Sequence, residues 1–151
     1  MKVYSDAYLG ITDSFFIENN STESNAILTG TSMDSTRTST IANTEFRENS
    51  SYAGGIGLLY GYLGFYSCEF IDNTAETGTA NIKAAISMVQ IEDTTFYCEP
   101  ELSEDRKGYG YFLYLDLQSE FEIETSTFIN GGASFGGAIY ITNCKNTNYI
   151  Y

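Results

Sequence analysis

Residues able to do acid–base chemistry are concentrated in one charged segment, residues 99–107. The segment places four carboxylates directly before Arg106 and Lys107. Carboxylates that hold Ca²⁺ beside an Arg or Lys base form one arrangement for proton abstraction. Functional groups concentrate on loops, so this segment is the best catalytic candidate. Runs of mixed charge are more often solvated loops, and we therefore expect no catalytic residue and no enzyme.

The composition of the chain excludes several other mechanisms and binding functions. The chain of 151 residues contains no histidine, which excludes mechanisms that use an imidazole as base, acid or metal ligand. Seven basic and 20 acidic residues give a net charge of −13. This charge predicts repulsion from nucleic acids and anionic lipids, and no apolar run approaches the roughly 18 residues of a membrane-spanning helix. We therefore expect neither nucleic-acid binding nor membrane insertion.

The three cysteines also give no sign of a metal site. They are Cys68, Cys98 and Cys144, an odd number without C-x-x-C spacing, which favours neither a disulfide framework nor zinc. The residues around Cys68 belong to a repeated motif in which Ser or Thr takes its place. The sequence therefore predicts that Cys68 is a buried free thiol.

This motif recurs five times and organises the whole chain. Each copy has an apolar residue, then Ser, Thr or Cys three positions later, then Phe two positions after that. The copies end at Phe16, Phe46, Phe70, Phe96 and Phe128. Their spacing varies from 24 to 32 residues, which excludes the strict heptads of a coiled coil and is typical of a solenoid with loop insertions.

A unit of this length cannot bury its own apolar face, but units stacked about 4.8 Å apart can. The sequence therefore predicts an all-β fold, a right-handed parallel β-helix of about five coils. Residues 1–151 form one domain, which is either complete or a segment of a longer repeat protein. An antiparallel sandwich does not explain the repeated motif, and a propeller needs a repeat of roughly 40 residues.

Stacking of the coils predicts three columns of side chains. The five Phe residues form an interior stack. Asn19, Asn49 and Asn73 form a column at a turn, where stacked amides bond to one another. The residue before each Asn forms an acidic column of Glu18, Glu48 and Asp72. We expect this column to face solvent near Arg47; a bound Ca²⁺ is the alternative, and we expect no other cofactor.

The paired motifs resemble those of a known group of repeats. Phe-x-x-Asn occurs at residues 16–19, 46–49 and 70–73, and Gly-Gly-Ala-Ile occurs at 136–139, with a near match at 54–56. These motifs resemble the polymorphic outer membrane protein repeats of the pectin-lyase-like parallel β-helix group. The copies at Phe96 and Phe128 depart from the Phe-x-x-Asn pattern. The resemblance implies a surface-exposed module used in adhesion or in an outer layer, without catalytic residues.

We therefore expect an extracellular or cell-surface structural or adhesive module. No capping helix is visible, so the terminal coils would self-associate and build a filament or surface layer. The alternative is a carbohydrate-binding or polysaccharide-lyase-like β-helix with glycan partners. Its sugar platform would be the aromatic segment 109–114.

Two asparagines are candidate glycosylation sites in such a glycoprotein. Asn20 and Asn49 both lie in N-x-[ST] triplets. Asn49 belongs to the turn column, so Asn20 is the better acceptor.

Overall fold

The strands of this protein coil into a solenoid with four walls. The structure, a computed structural model, describes residues 1–3, 7–22, 25, 27–31, 38–77, 79–100, 110–144 and 149–150. The first wall contains β1 (Lys2–Val3), β5 (Leu28–Thr31), the start of β9 (Ile56–Tyr66), the start of β12 (Ile82–Glu92), β14 (Leu113–Asp116) and β17 (Ile139–Ile141). The second wall contains β2 (Gly10–Thr12), β6 (Ser39–Ala42), the ends of β9 and β12, β15 (Glu120–Glu124) and β18 (Tyr149–Ile150).

The other two walls carry the repeated motif and the turn that follows it. The third wall contains β3 (Phe15–Ile17), β7 (Glu45–Arg47), β10 (Glu69–Ile71), β13 (Thr95–Tyr97) and β16 (Thr127–Ile129). The fourth wall contains β4 (Asn20–Ser21), β8 (Ser50–Ser51) and β11 (Thr74–Ala75).

Every strand pair of the described residues is parallel, and it joins equivalent positions of successive coils. Phe70 pairs with Phe46 on one side and with Phe96 on the other. The five strands of the third wall are five rungs with four turns between the first and the last. The predicted right-handed parallel β-helix is therefore confirmed.

The corners depend on residues in the left-handed region. The corner between the second and third walls has such a residue in each coil, with φ between 44° and 51°; these residues are Asp13, Asn43, Ser67, Asp93 and Thr125. The next residue is the Ser, Thr or Cys of the motif, whose side chain donates to the carbonyl two positions back. Thr44 Oγ1 donates to Ala42 O at 2.8 Å, for example. The small residue of the motif therefore stabilises the corner as well as leaving room for Phe.

The corner between the first and second walls was not foreseen from the sequence. Tyr60, Ile86 and Leu117 occupy it, with φ of 58°, 50° and 52°. All three side chains are exposed. A left-handed β-branched residue such as Ile86 is sterically costly, and the strand pairing on both sides of the corner holds it there.

The core lies between the third wall and the first two. Phe46, Phe70 and Phe96 are fully buried against branched residues of β9 and β12. Phe65 replaces the usual Ile of the motif in its coil and packs its edge on Phe70, with ring centroids 5.6 Å apart.

Candidate functional site

The five predicted Phe residues lie in one continuous stack. Successive ring centroids are 5.2, 4.5, 4.7 and 4.8 Å apart from Phe16 to Phe128, and neighbouring rings are within 11° of parallel. The three inner rings are fully buried, whereas Phe16 and Phe128 are only partly buried. The stack supports the fold along its axis, and each terminal ring lacks an aromatic neighbour on its outer side among the described residues of the third wall.

The three predicted Asn residues form a hydrogen-bonded ladder. Asn49 Nδ2 donates to Asn73 Oδ1 and to Phe16 O, both at 2.8 Å. Asn49 Oδ1 accepts from the backbone N and the Nδ2 of Asn19 at 3.0 and 2.8 Å. Asn73 Nδ2 donates in the same way to Phe46 O. Asn49 and Asn73 therefore each bond both a neighbouring amide and the backbone of the preceding coil.

The acidic column lies at the corner before this ladder. Glu18 and Glu48 are exposed and Asp72 is half-buried, with left-handed φ of 54°, 53° and 51°. Arg47, which we expected near this column, forms an ion pair with Glu45. No group of three or more His, Cys, Asp or Glu among the described residues is placed to hold a metal ion.

The two candidate glycosylation sites differ in accessibility. Asn20 is exposed at the start of β4. Asn49 is 1% exposed, and its Nδ2 donates both its hydrogens inside the ladder. A glycan attached to Asn49 Nδ2 would replace one of these hydrogens. It would also clash with the neighbouring coils. Asn49 is therefore a structural residue, and the sequence-based suggestion of a glycan there does not fit the fold.

Two further candidates from the sequence do not form a described site. Most of the charged segment, including Arg106 and Lys107, lies outside the described residues. The aromatic segment suggested as a sugar platform, residues 109–114, turns inward: Tyr111 and Phe112 are buried. Tyr114 is stacked on Tyr140 at 5.5 Å and has Lys83 Nζ 5.3 Å from its centroid. Tyr109 lies outside the described residues, and the described part of this segment does not present Tyr111 and Phe112 as a sugar platform.

The outer face of the second wall holds a cleft that sequence reasoning missed. The cleft has a volume of about 220 Å³, and it is built from two columns of three rungs. One column is Tyr66, Glu92 and Glu124, and the other is Gly64, Gln90 and Glu122. Glu92 and Glu124 each follow the apolar residue of a motif copy, but the other three copies have Thr, Ala or Tyr there, so no signal common to all five copies marked the cleft.

Gly64 allows the Tyr66 ring to cross from one column to the other. A Cβ at position 64 would lie 2.5 Å from Tyr66 Cε2 and 2.6 Å from its Oη. The ring therefore covers Gly64. From there Tyr66 Oη donates to Gln90 Oε1 at 2.9 Å, and Gln90 Nε2 donates to Glu122 Oε2 at 2.9 Å.

The cleft is strongly acidic. Its lining residues include Glu92, Glu122 and Glu124 but neither Lys nor Arg. Burial, and after it the neighbouring Tyr62, Glu92 and Glu122, raises the pKa of the Tyr66 hydroxyl. An anion would be repelled from this face, whereas a cation or a hydrogen-bonding neutral ligand would be accepted.

The thiols have no role in a described site. All three cysteines are free, and Cys68 and Cys98 are buried. The prediction of a buried free Cys68 is confirmed. Burial raises the pKa of its thiol, an effect partly offset by hydrogen bonds from the backbone.

The comparisons with known proteins leave the repeat resemblance as a prediction. No family model, no curated protein and no solved structure matches the chain. The described residues contain no helix that is long and apolar enough to cross a membrane. The function must therefore be argued from the geometry of the β-helix.

Proposed function

We propose that this protein is a structural β-helix module that stacks end to end with copies of itself. The observation that carries the proposal is the state of its outermost described strands. The first-rung strands β1 to β4 and the last strands β16, β17 and β18 each pair with a strand on one side only. Such edges offer unpaired N–H and C=O groups to another chain.

A second copy is the best-matched occupant of these edges. Its strands have the same spacing, and its apolar columns continue those of the first copy. Ile150, at the open end of the column that starts at Ile11, is 60% exposed, and Ile141 is 40% exposed. Association of the two ends places apolar residues in contact and completes the parallel pairing.

Contact between a head and a tail does not close, so the product is a filament and not a dimer. The net charge of −13 opposes association along the sides. Salt screens this repulsion and should therefore promote growth. An extracellular or cell-surface location, with filaments forming an adhesive or outer layer, belongs to the same proposal. Protease treatment of intact source cells should then digest the protein without lysis.

Light scattering over a range of protein and salt concentrations tests the stacking. We expect the apparent mass to rise with both variables, and electron microscopy should show fibres one β-helix wide. Ile141→Lys places a charge on the open edge strand β17 and should prevent growth. Leu117→Lys is the matched control, because Leu117 is similarly exposed but lies on a side corner.

Two results would contradict the proposal. One is a protein that stays monomeric at high concentration and high salt. The other is an equal loss of growth in the Ile141→Lys and Leu117→Lys variants, which would indicate association along the sides. The lyase-like alternative depends on residues outside the described part of the chain, and we do not propose it.

A further inference from the structure

The cleft on the second wall combines three features that the stacking function does not use. They are an aromatic ring that lies over a glycine, an amide hydrogen that has no partner among the described residues, and a row of carboxylates. The ring is that of Tyr66, which covers Gly64 and is held by the hydrogen bond to Gln90. An aromatic ring next to convergent polar groups is typical of small-ligand sites.

Hydrogen bonding within the cleft leaves both donors and acceptors for a ligand. Gln90 Nε2 uses one hydrogen on Glu122 Oε2, and among the described residues its second hydrogen has no partner. Glu122 Oε1 likewise accepts no bond from the described residues. A hydroxyl group both donates and accepts, so it can satisfy this amide and this carboxylate together.

The carboxylates add a preference for positive charge. Glu92 and Glu124 are paired residues on adjacent strands, so their side chains leave the sheet about 4.8 Å apart. Like charges at this distance repel, and a cation between them removes the repulsion. A polyuronate would add further negative charge and is excluded by the same argument.

We propose that this cleft binds a saccharide that carries amino groups. The sugar ring packs on Tyr66, its hydroxyls bond Gln90 and Glu122, and its ammonium group lies between Glu92 and Glu124. A basic peptide is a weaker match because Lys and Arg side chains only donate hydrogen bonds, so the remaining N–H of Gln90 would have to find a backbone carbonyl of the peptide.

Calorimetric titration of the full chain with a chitosan oligosaccharide tests the proposal. The matched probes are the N-acetylated chitin oligosaccharide, an oligogalacturonate and an oligolysine. We expect saturable binding of the chitosan probe, binding of the chitin probe weaker by about tenfold, and no binding of the oligogalacturonate. Tighter Tyr66-dependent binding of oligolysine would overturn the saccharide assignment.

Three variants address the cleft, and two control for charge and ring loss elsewhere. Tyr66→Ala and Glu122→Gln should each weaken binding by about tenfold, and Gly64→Ala should do the same by displacing the ring. Tyr52→Ala and Glu48→Gln remove an exposed ring and an exposed carboxylate outside the cleft and should leave binding unchanged.

The charge-matched pair decides whether the cleft itself is the site. An acidic protein attracts any polycation, so diffuse attraction would be weakened equally by Glu122→Gln and Glu48→Gln. Equal losses, or an absence of saturable chitosan binding, would overturn the proposal. Neither result bears on end-to-end stacking, which is measured without a ligand.

Discussion

The Cys98 thiol lies 2.8 Å from the Tyr111 hydroxyl inside the β-helix. This contact lies next to Asn73, the last asparagine of the ladder. Tyr111 Oη also donates to Asn73 O at 3.1 Å. The carbonyls of Asn19 and Asn49 accept from the backbone N–H groups of Ser50 and Thr74. The equivalent residue of the next coil is Pro100, which has no N–H, so the carbonyl of Asn73 accepts from Tyr111 instead. A residue just before β14 thus satisfies the backbone at the point where the ladder ends.

Tyr111→Phe removes this hydroxyl while keeping the ring. We expect the free energy of unfolding to fall by about 1–3 kcal/mol, because the buried Asn73 carbonyl and the Cys98 thiol both lose a partner. Chemical denaturation measures the change. Tyr97→Phe is the control and should leave the midpoint unchanged, since the Tyr97 hydroxyl bonds the exposed Glu99 and no other described residue. Equal midpoints for the two variants would show that the Tyr111 hydroxyl does not matter.

Phe70→Ala should be among the most damaging substitutions in the core. Phe70 is the central ring of the stack, and rigid coils above and below prevent the cavity from closing. We expect a loss of about 3–5 kcal/mol in the free energy of unfolding. Phe15→Ala, at a neighbouring but 71% exposed position, should change stability little. A Phe70→Ala protein that unfolds at the wild-type temperature would contradict the role assigned to the stack.

The motif predicted these inner columns because stacking forces equivalent inward positions to carry similar residues. Phe70 and Asn49 could therefore be placed from spacing alone. The outward cleft at Tyr66 could not, since outward side chains meet solvent and need not repeat. The sole sequence signal was a glycine, Gly64, inside a long apolar strand. The left-handed Ile86 also escaped prediction, because its conformation is imposed by strand pairing against its own preference.

Asn49→Asp tests the direction of the hydrogen bonds in the ladder. An aspartate accepts from Asn19 as the amide does, but it cannot donate to Asn73 Oδ1 and Phe16 O. We expect a loss of about 2–4 kcal/mol at neutral pH. Protonation restores a donor, so the folded-state pKa of the new carboxyl is raised, and the deficit should shrink as pH falls. The same substitution at exposed Asn19 should cost less; equal costs would argue against a directional ladder.

Thiol reactivity tests the burial of the cysteines. The raised pKa of Cys68 also makes the stability of the fold depend on pH. In the native protein only the partly exposed Cys144 should react with a thiol reagent, and Cys68 and Cys98 should react after denaturation. The folded-state pKa of Cys68 is raised above its ordinary value of 9.0, mainly by burial. Its contribution to stability is therefore complete below pH 9 and declines as the pH rises further. Rapid reaction of Cys68 in the native state would contradict the packing.

Asn81→Leu should stabilise the protein. Asn81 is 2% exposed, it lies beside Gly55 just before β12, and among the described residues neither of its side-chain polar atoms has a hydrogen-bond partner. A buried amide without partners costs free energy that a leucine with the same branching does not, so we expect a gain of about 1–3 kcal/mol. Asn73→Leu is the matched control: Asn73 is equally buried but fully bonded in the ladder, so the same change should destabilise. The midpoint temperature of thermal unfolding should rise in Asn81→Leu and fall in Asn73→Leu, relative to the wild-type protein. A lower midpoint in Asn81→Leu would show that the Asn81 amide has a structural partner.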